Sequence, residues 1–190
     1  MDVYMLRARD INLPIEQSPA RIDCETLETI YNQYYKSVYN YISFRINNHF
    51  DSEELASSVF ENAIRKFHTY KPGISTIEAW LIGIAKNIVT DYLRGKKRKS
   101  FVTLDSILEL ASLSRQPEEV AVINEENKAL IQAMSKLKEQ ERQALSMKFA
   151  TGLRNNEIAQ ILNISDSNAG VMIHRATKKL RRILEREWNI

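Results

Sequence analysis

Cations and small polar side chains crowd one part of this sequence densely enough to do chemistry. From Arg94 to Lys99 the chain reads RGKKRK, five positive charges in six residues. Just upstream, Lys86, Asn87, Asp91 and Arg94 recur at helical spacing, giving a polar stripe opposite an apolar side of Trp80, Ile84 and Ile88. The loop KPGIST ahead of that helix supplies Lys71, Ser75 and Thr76. The chemistry this suits is binding, not bond making: cations hold a phosphodiester backbone while a polar pocket tests an unstacked base, which is what single-stranded DNA requires. The plainer reading of such a run is a solvated helix end.

A second constellation is EIAQILNISDSNAGVMIHRA, Glu157 to Ala176. It has the outline of a helix-turn-helix, with Ile158, Ala159 and Leu162 facing inward from the first helix. Asn163 stands where the turn needs positive φ, Ser165 caps the second helix, and Ala169, Met172 and Ile173 close the core. Asp166, Ser167, Asn168, Gly170 and Val171 are left facing the groove. Ser and Asn can hydrogen-bond base edges and Val can meet a thymine methyl, but no Arg is present for a bidentate guanine contact. Positive charge arrives only with Arg175, Lys178, Lys179, Arg181 and Arg182, beside His174, at positions suited to phosphates. A purely structural helical hairpin has the same spacing, and such a module alone should bind DNA weakly.

Catalysis finds little support. His49, His68 and His174 are scattered, no Gly-rich phosphate loop occurs, and no nucleophile sits beside a base. The pairs Glu118-Glu119 and Glu125-Glu126 read as solvated chain, so no metal or other cofactor is expected. Cys24 is the only cysteine, which excludes a disulfide framework and points to a reducing cytosol. No run approaches the roughly 18 apolar residues of a membrane span, and the first residues lack a signal-peptide block.

The elements that must position these groups are helical. Five Gly and four Pro in 190 residues leave little β-turn punctuation. After a plausible N-cap at Asp23, Leu27, Ile30, Tyr31, Tyr34, Val38, Tyr41 and Ile42 mark a long amphipathic helix, with Tyr35 and Tyr39 on a second surface. DSEE at Asp51 and STIE at Ser75 have the form of capping boxes for the next two helices. The first of these carries Leu55, Val59, Ala63 and Phe67 on one face, and the second runs into the basic cluster. Pro117 and an acidic excess mark a linker, with a helical turn around Leu104 to Leu113. Helicity resumes through Leu130, Ala133, Met134 and Leu137, then Ala144, Leu145, Met147 and Phe149, ending at Gly152. The expected fold is all-α, two small helical domains of about four helices each joined by a flexible linker. The divisions are an extension over 1–22, a first domain over 23–99, a linker over 100–124 and a helix-turn-helix domain over 125–190.

The segments YNQYYKSVYNYI, DSEELASSVF, AWLIGIAKNIVTDYLR and LKEQERQALSMKFATGLRNNEIAQILNIS…HRATKKLRR, in that order, resemble sigma-70 family sigma factors of the extracytoplasmic-function type. That resemblance implies a protein that binds RNA polymerase core and directs it to promoters. Glu54, Leu55, Ser58, Val59 and Asn62 would dock on the clamp helices of the largest polymerase subunit, with the flap as a further contact. Lys71, Ser75, Thr76, Trp80, Lys86, Asn87, Arg94, Lys96, Lys97 and Arg98 would meet the minus-ten element, the KPGIST loop capturing a flipped base. Ser165, Ser167, Asn168, Val171, His174, Arg175, Lys178 and Lys179 would meet the minus-thirty-five element. The family also implies an anti-sigma partner, often membrane-bound, and no small-molecule substrate. Where relatives commonly cap the first helix of the motif with Ser, this chain has Arg154, with Asn155 the expected substitute.

Two other readings compete. A stand-alone regulator would dimerise on a palindrome through the C-terminal module, but would leave the cations beside the KPGIST loop unexplained. An adaptor would carry interaction surfaces with little DNA contact of its own.

Overall fold

The computed structural model describes residues 24–102 and 125–188. The extension over 1–22, the cap at Asp23 and the turn around Leu104 to Leu113 lie outside the described residues. Every regular element among the described residues is helical. Helices α1 (Cys24–Ile46), α2 (His49–Lys66) and α3 (Ile77–Val102) form the first module, with a short 3-10 turn at Phe67–Thr69. Helices α4 (Glu125–Ser135), α5 (Glu139–Thr151), α6 (Asn155–Leu162) and α7 (Asp166–Trp188) form the second. The first module therefore holds three α-helices, one fewer than the pattern suggested.

Both expected capping boxes shift by a few residues. Helix α2 begins at His49 because Asn48 offers its side-chain oxygen to the Asp51 N–H at 3.0 Å, after Asn47 has reversed the chain at φ 53°. Asp51 thus lies within the first turn, where its carboxylate accepts the Tyr92 hydroxyl of α3. Helix α3 is capped by Thr76 instead of Ser75, its hydroxyl accepting from the Ala79 N–H at 3.2 Å. In both places adjacent side chains could each cap, and the point where the backbone leaves the loop selects between them.

The buried stripe of α3 is Leu81, Ile82, Ala85 and Val89, while Trp80, Ile84 and Ile88 lie half-buried on its flank. These residues pack on Val38, Tyr41 and Ile42 of α1 and Ala56, Val59, Phe60 and Ala63 of α2 within one core. Each large apolar side chain fully buried there contributes about 1.5–3 kcal/mol. Tyr31, expected inside, is 40% exposed. It begins a ladder with Tyr35 and Tyr39 along α1, ring centroids 5.0 and 6.2 Å apart, and Phe60 of α2 lies 4.8 Å from its ring. Phe149, also assigned to the core pattern, is 61% exposed on the outer side of α5.

The two modules are packed together. Helix α1 lies along α5, α3 meets α6, and a single hydrophobic cluster continues from Ile30 to Leu180 through both. Arg45, its side chain fully buried at the end of α1, reaches across to Glu139 at the start of α5 and donates to the Tyr41 hydroxyl at 2.9 Å.

Candidate nucleic-acid interface

The helix-turn-helix forms with its turn chemistry as expected. Asn163 adopts φ 55°, ψ 50°, and the N–H groups of Asn163 and Ile164 donate to the carbonyls of Gln160 and Ala159 at 3.2 and 3.0 Å. This pair of bonds closes α6 in a Schellman turn. Ser165 then caps α7, accepting from the Asn168 N–H at 3.2 Å. The start of α6 differs from expectation: Asn155 lies in the first turn, and the Glu157 carboxylate reaches back to the Arg154 N–H at 2.8 Å. Ile158, Ala159, Ala169 and Ile173 are buried between the two helices.

Ser165, Asp166, Ser167, Asn168, Val171, His174, Arg175 and Lys178 are exposed along the outer side of α7. Gly170 is not among them, because a Cβ there would stand 3.5 Å from the Asn155 amide of α6. Helix α7 runs unbroken to Trp188, so the basic residues continue the recognition helix. Lys179 is half-buried and paired with Glu141 at 2.8 Å. A shallow cleft beside this helix is lined by Lys138, Gln140, Asn168, Val171 and Arg175. Lys138 and Gln140 were missed by the sequence reading: they lie far upstream, and only the polar opening of α5 hinted at them.

In the first module the KPGIST loop is held by aromatic packing. Trp80 lies edge-on to Phe67 with centroids 6.0 Å apart and 5.5 Å from Tyr70. Burial, with the nearby Glu78 carboxylate and Tyr70, raises the Tyr34 hydroxyl to about 12, so it stays neutral at physiological pH. Lys71 and Thr76 are exposed at the mouth of the loop and Ser75 is half-buried. Along α3, Asn87 and Arg94 face solvent, Arg94 lying 3.6 Å from Asp91. Lys96 stands 5.7 Å over the Tyr92 ring. Lys97 and Arg98 continue the same helix, and their side chains lie outside the described residues. Lys86 departs from this solvent-facing row, donating to the Ile161 carbonyl of α6 at 3.0 Å.

On α2, Glu54 is exposed and Leu55, Ser58 and Asn62 are half-buried at spacings of three and four, one continuous strip. Asn62 donates to the Ser58 carbonyl at 2.9 Å. Val59 does not share the strip: it is fully buried and braces α2 from behind, so a partner docked on this face would not touch it. Among the described residues no group of three or more His, Cys, Asp or Glu could hold a metal ion. Nor, among them, is any helix long and apolar enough to cross a membrane.

An all-helical frame with a helix-turn-helix at one end and a cation-rich helix beside a polar loop at the other defines a two-part DNA-binding protein. The sigma-70 region 2 family model matches residues 30–99 and the sigma-70 region 4 model matches residues 127–180. The sequence is 28% identical over 162 residues to the ECF RNA polymerase sigma factor BldN of Streptomyces coelicolor, covering 85% of this chain and 61% of that protein. It is also 28% identical over 165 residues to the ECF sigma factor SigM of Bacillus subtilis, covering 86% of this chain and 98% of SigM. In fold it is similar to the sigma factor RpoE of Bartonella quintana, solved with the anti-sigma factor NepR, with a TM-score of 0.68 at 17% identity. That match covers 86% of this chain and 99% of RpoE. The chain belongs to the sigma-70 family of RNA polymerase sigma factors, extracytoplasmic-function type.

Proposed function

We propose that this chain is an alternative sigma factor that binds RNA polymerase core, recognises minus-ten and minus-thirty-five promoter elements and starts transcription of a signal-responsive set of genes. The observation that carries this reading is the presence of both sigma-70 regions, in order, on the two modules. The division into a first domain over 23–99, a linker over 100–124 and a second domain over 125–190 is part of the proposal. It works in the cytoplasm as an initiation factor, without catalysis of its own. An anti-sigma factor, in some settings membrane-bound, holds it inactive; the similar RpoE, solved with NepR, supports such control.

In this reading Glu54, Leu55, Ser58 and Asn62 dock on the polymerase clamp helices. Lys71, Ser75, Thr76, Lys86, Asn87, Arg94, Lys96, Lys97 and Arg98 contact the minus-ten element, and Trp80 holds the loop that captures an unstacked base. Ser167, Asn168 and Val171 read the minus-thirty-five element while Ser165, His174, Arg175, Lys178 and Lys179 anchor its backbone. The low charge of the recognition helix is tolerable because polymerase and the first module tether the DNA, raising the effective concentration of the second contact.

The test is strand opening of a promoter fragment by purified core polymerase with this protein. Opening that depends on the chain is the expected result. Tight binding of the free chain to duplex DNA as a dimer, with no effect on polymerase, would overturn the proposal in favour of a stand-alone regulator, a reading the two-region match does not favour.

A further inference from the structure

Two of the groups proposed to hold the minus-ten element are engaged by the chain's own second module. The Lys86 ammonium donates to the Ile161 carbonyl at 3.0 Å, in the last turn of α6, where unpaired carbonyls concentrate partial negative charge. The Thr76 hydroxyl donates to Glu157 Oε1 at 2.9 Å, and the other oxygen of that carboxylate caps α6. Helix α6 therefore lies against the stretch of α3 and its loop where a DNA strand would run. It offers a cation acceptor and a hydroxyl acceptor there, as a phosphate would.

We infer that the free chain is autoinhibited by a clasp between its modules, in which α6 covers the minus-ten surface and the Arg45–Glu139 pair holds the two halves together. This rests on the reading of Thr76 and Lys86 as DNA contacts. Arg45 sets the strength of the clasp. Its side chain is fully buried, and its acceptors are Glu139 from the second module and the Tyr41 hydroxyl from its own helix. A buried guanidinium deprived of its carboxylate is strongly disfavoured, and parting the modules is the direct way to return it to water. Replacing both partners by apolar groups removes that drive, because no unpaired charge is left inside. The anchor thus makes the closed state sensitive to whatever competes for Glu139 or for the α1 and α5 surfaces. Core polymerase does so when it spreads the modules along a promoter.

The experiment uses the full chain without polymerase. Small-angle scattering gives the radius of gyration of the wild type, of Glu139→Ala and of the double variant Arg45→Met/Glu139→Ala. Fluorescence anisotropy gives the affinity of each for short random-sequence single-stranded DNA at low salt, and circular dichroism checks helical content. Glu139→Ala is expected to keep its helices, expand and bind the DNA about tenfold more tightly, the factor for a wild type open roughly a tenth of the time. The double variant is expected to be compact and to bind weakly again. A Glu139→Ala chain that stays compact, that expands without tighter DNA binding, or that loses its helices while the double variant opens, overturns the clasp. Polymerase-dependent strand opening by the wild type is judged separately, so failure of the clasp and failure of the sigma reading are distinguishable.

Discussion

The Lys179 ammonium lies 2.8 Å from Glu141, whose carboxylate also accepts the Lys138 backbone N–H at 2.9 Å. One side chain therefore caps α5 and ties that cap to the basic half of α7, setting where the recognition helix leaves the core. Lys179 is half-exposed, so the ion pair itself contributes only a few tenths of a kcal/mol and the cap supplies most of the effect. Glu141→Ala is expected to lose about 1 kcal/mol, lowering Tm by about 2–4 °C. Glu141→Gln, which retains an acceptor for the cap, should lose less than half as much. Calorimetry showing equal losses for both variants would contradict this division.

Stability should respond to pH in two opposite ways. In Glu139 burial pushes the carboxyl up, but hydrogen bonds and charges from Arg142 and Arg45 outweigh it and hold the group low. In Glu141 the hydrogen bond from Lys179 leads the lowering. Both stabilise the fold while ionised, so their contribution is complete above the unfolded carboxylate value of about 4 and fades as pH falls through their lower folded values. Glu78 is the reverse: burial, with Glu157 nearby, raises it against a hydrogen bond from Ser37. Its ionised form is disfavoured at neutral pH, so Glu78→Gln should raise Tm by about 1–2 °C at pH 7, with the gain vanishing as pH falls through the raised value. A gain of the same size at every pH would count against this account.

The cationic end of α3 should act through phosphates. Neutralising Lys96, Lys97, Arg98 and Lys99 together is expected to weaken promoter binding by the polymerase complex and flatten its salt dependence, the slope falling by roughly 0.7–0.9 for each phosphate that is no longer neutralised. Relative affinity across promoter sequences should barely change. Titrations at several salt concentrations measure this, and an unchanged slope would show that the cluster does not touch the backbone.

Much of this architecture was legible in the residues because helices are governed by local rules. The turn of the helix-turn-helix was readable from Asn163 and Ser165, since positive φ and a hydroxyl cap are properties of single side chains. The order of the helices and the basic end of α3 followed from periodicity and charge. Cap positions at Asn48 and Thr76 were missed by one to three residues, because several neighbouring side chains could cap and only the backbone path chooses.

By itself, then, the sequence determined helical class, the two-module order, the groove-side composition of α7 and the membership its motifs announce. What only the tertiary structure decided is which faces meet. The burial of Val59, the turn of Gly170 toward α6, the place of Lys138 and Gln140 beside the recognition helix and the reach of Arg45 to Glu139 all depend on residues distant in the chain. Periodicity shows that a face is apolar or charged but not which partner covers it, because that choice is made by packing between helices. The contact of Lys86 with Ile161 is the clearest case: charge and spacing marked it as a cation for DNA, and the fold places a protein carbonyl in front of it.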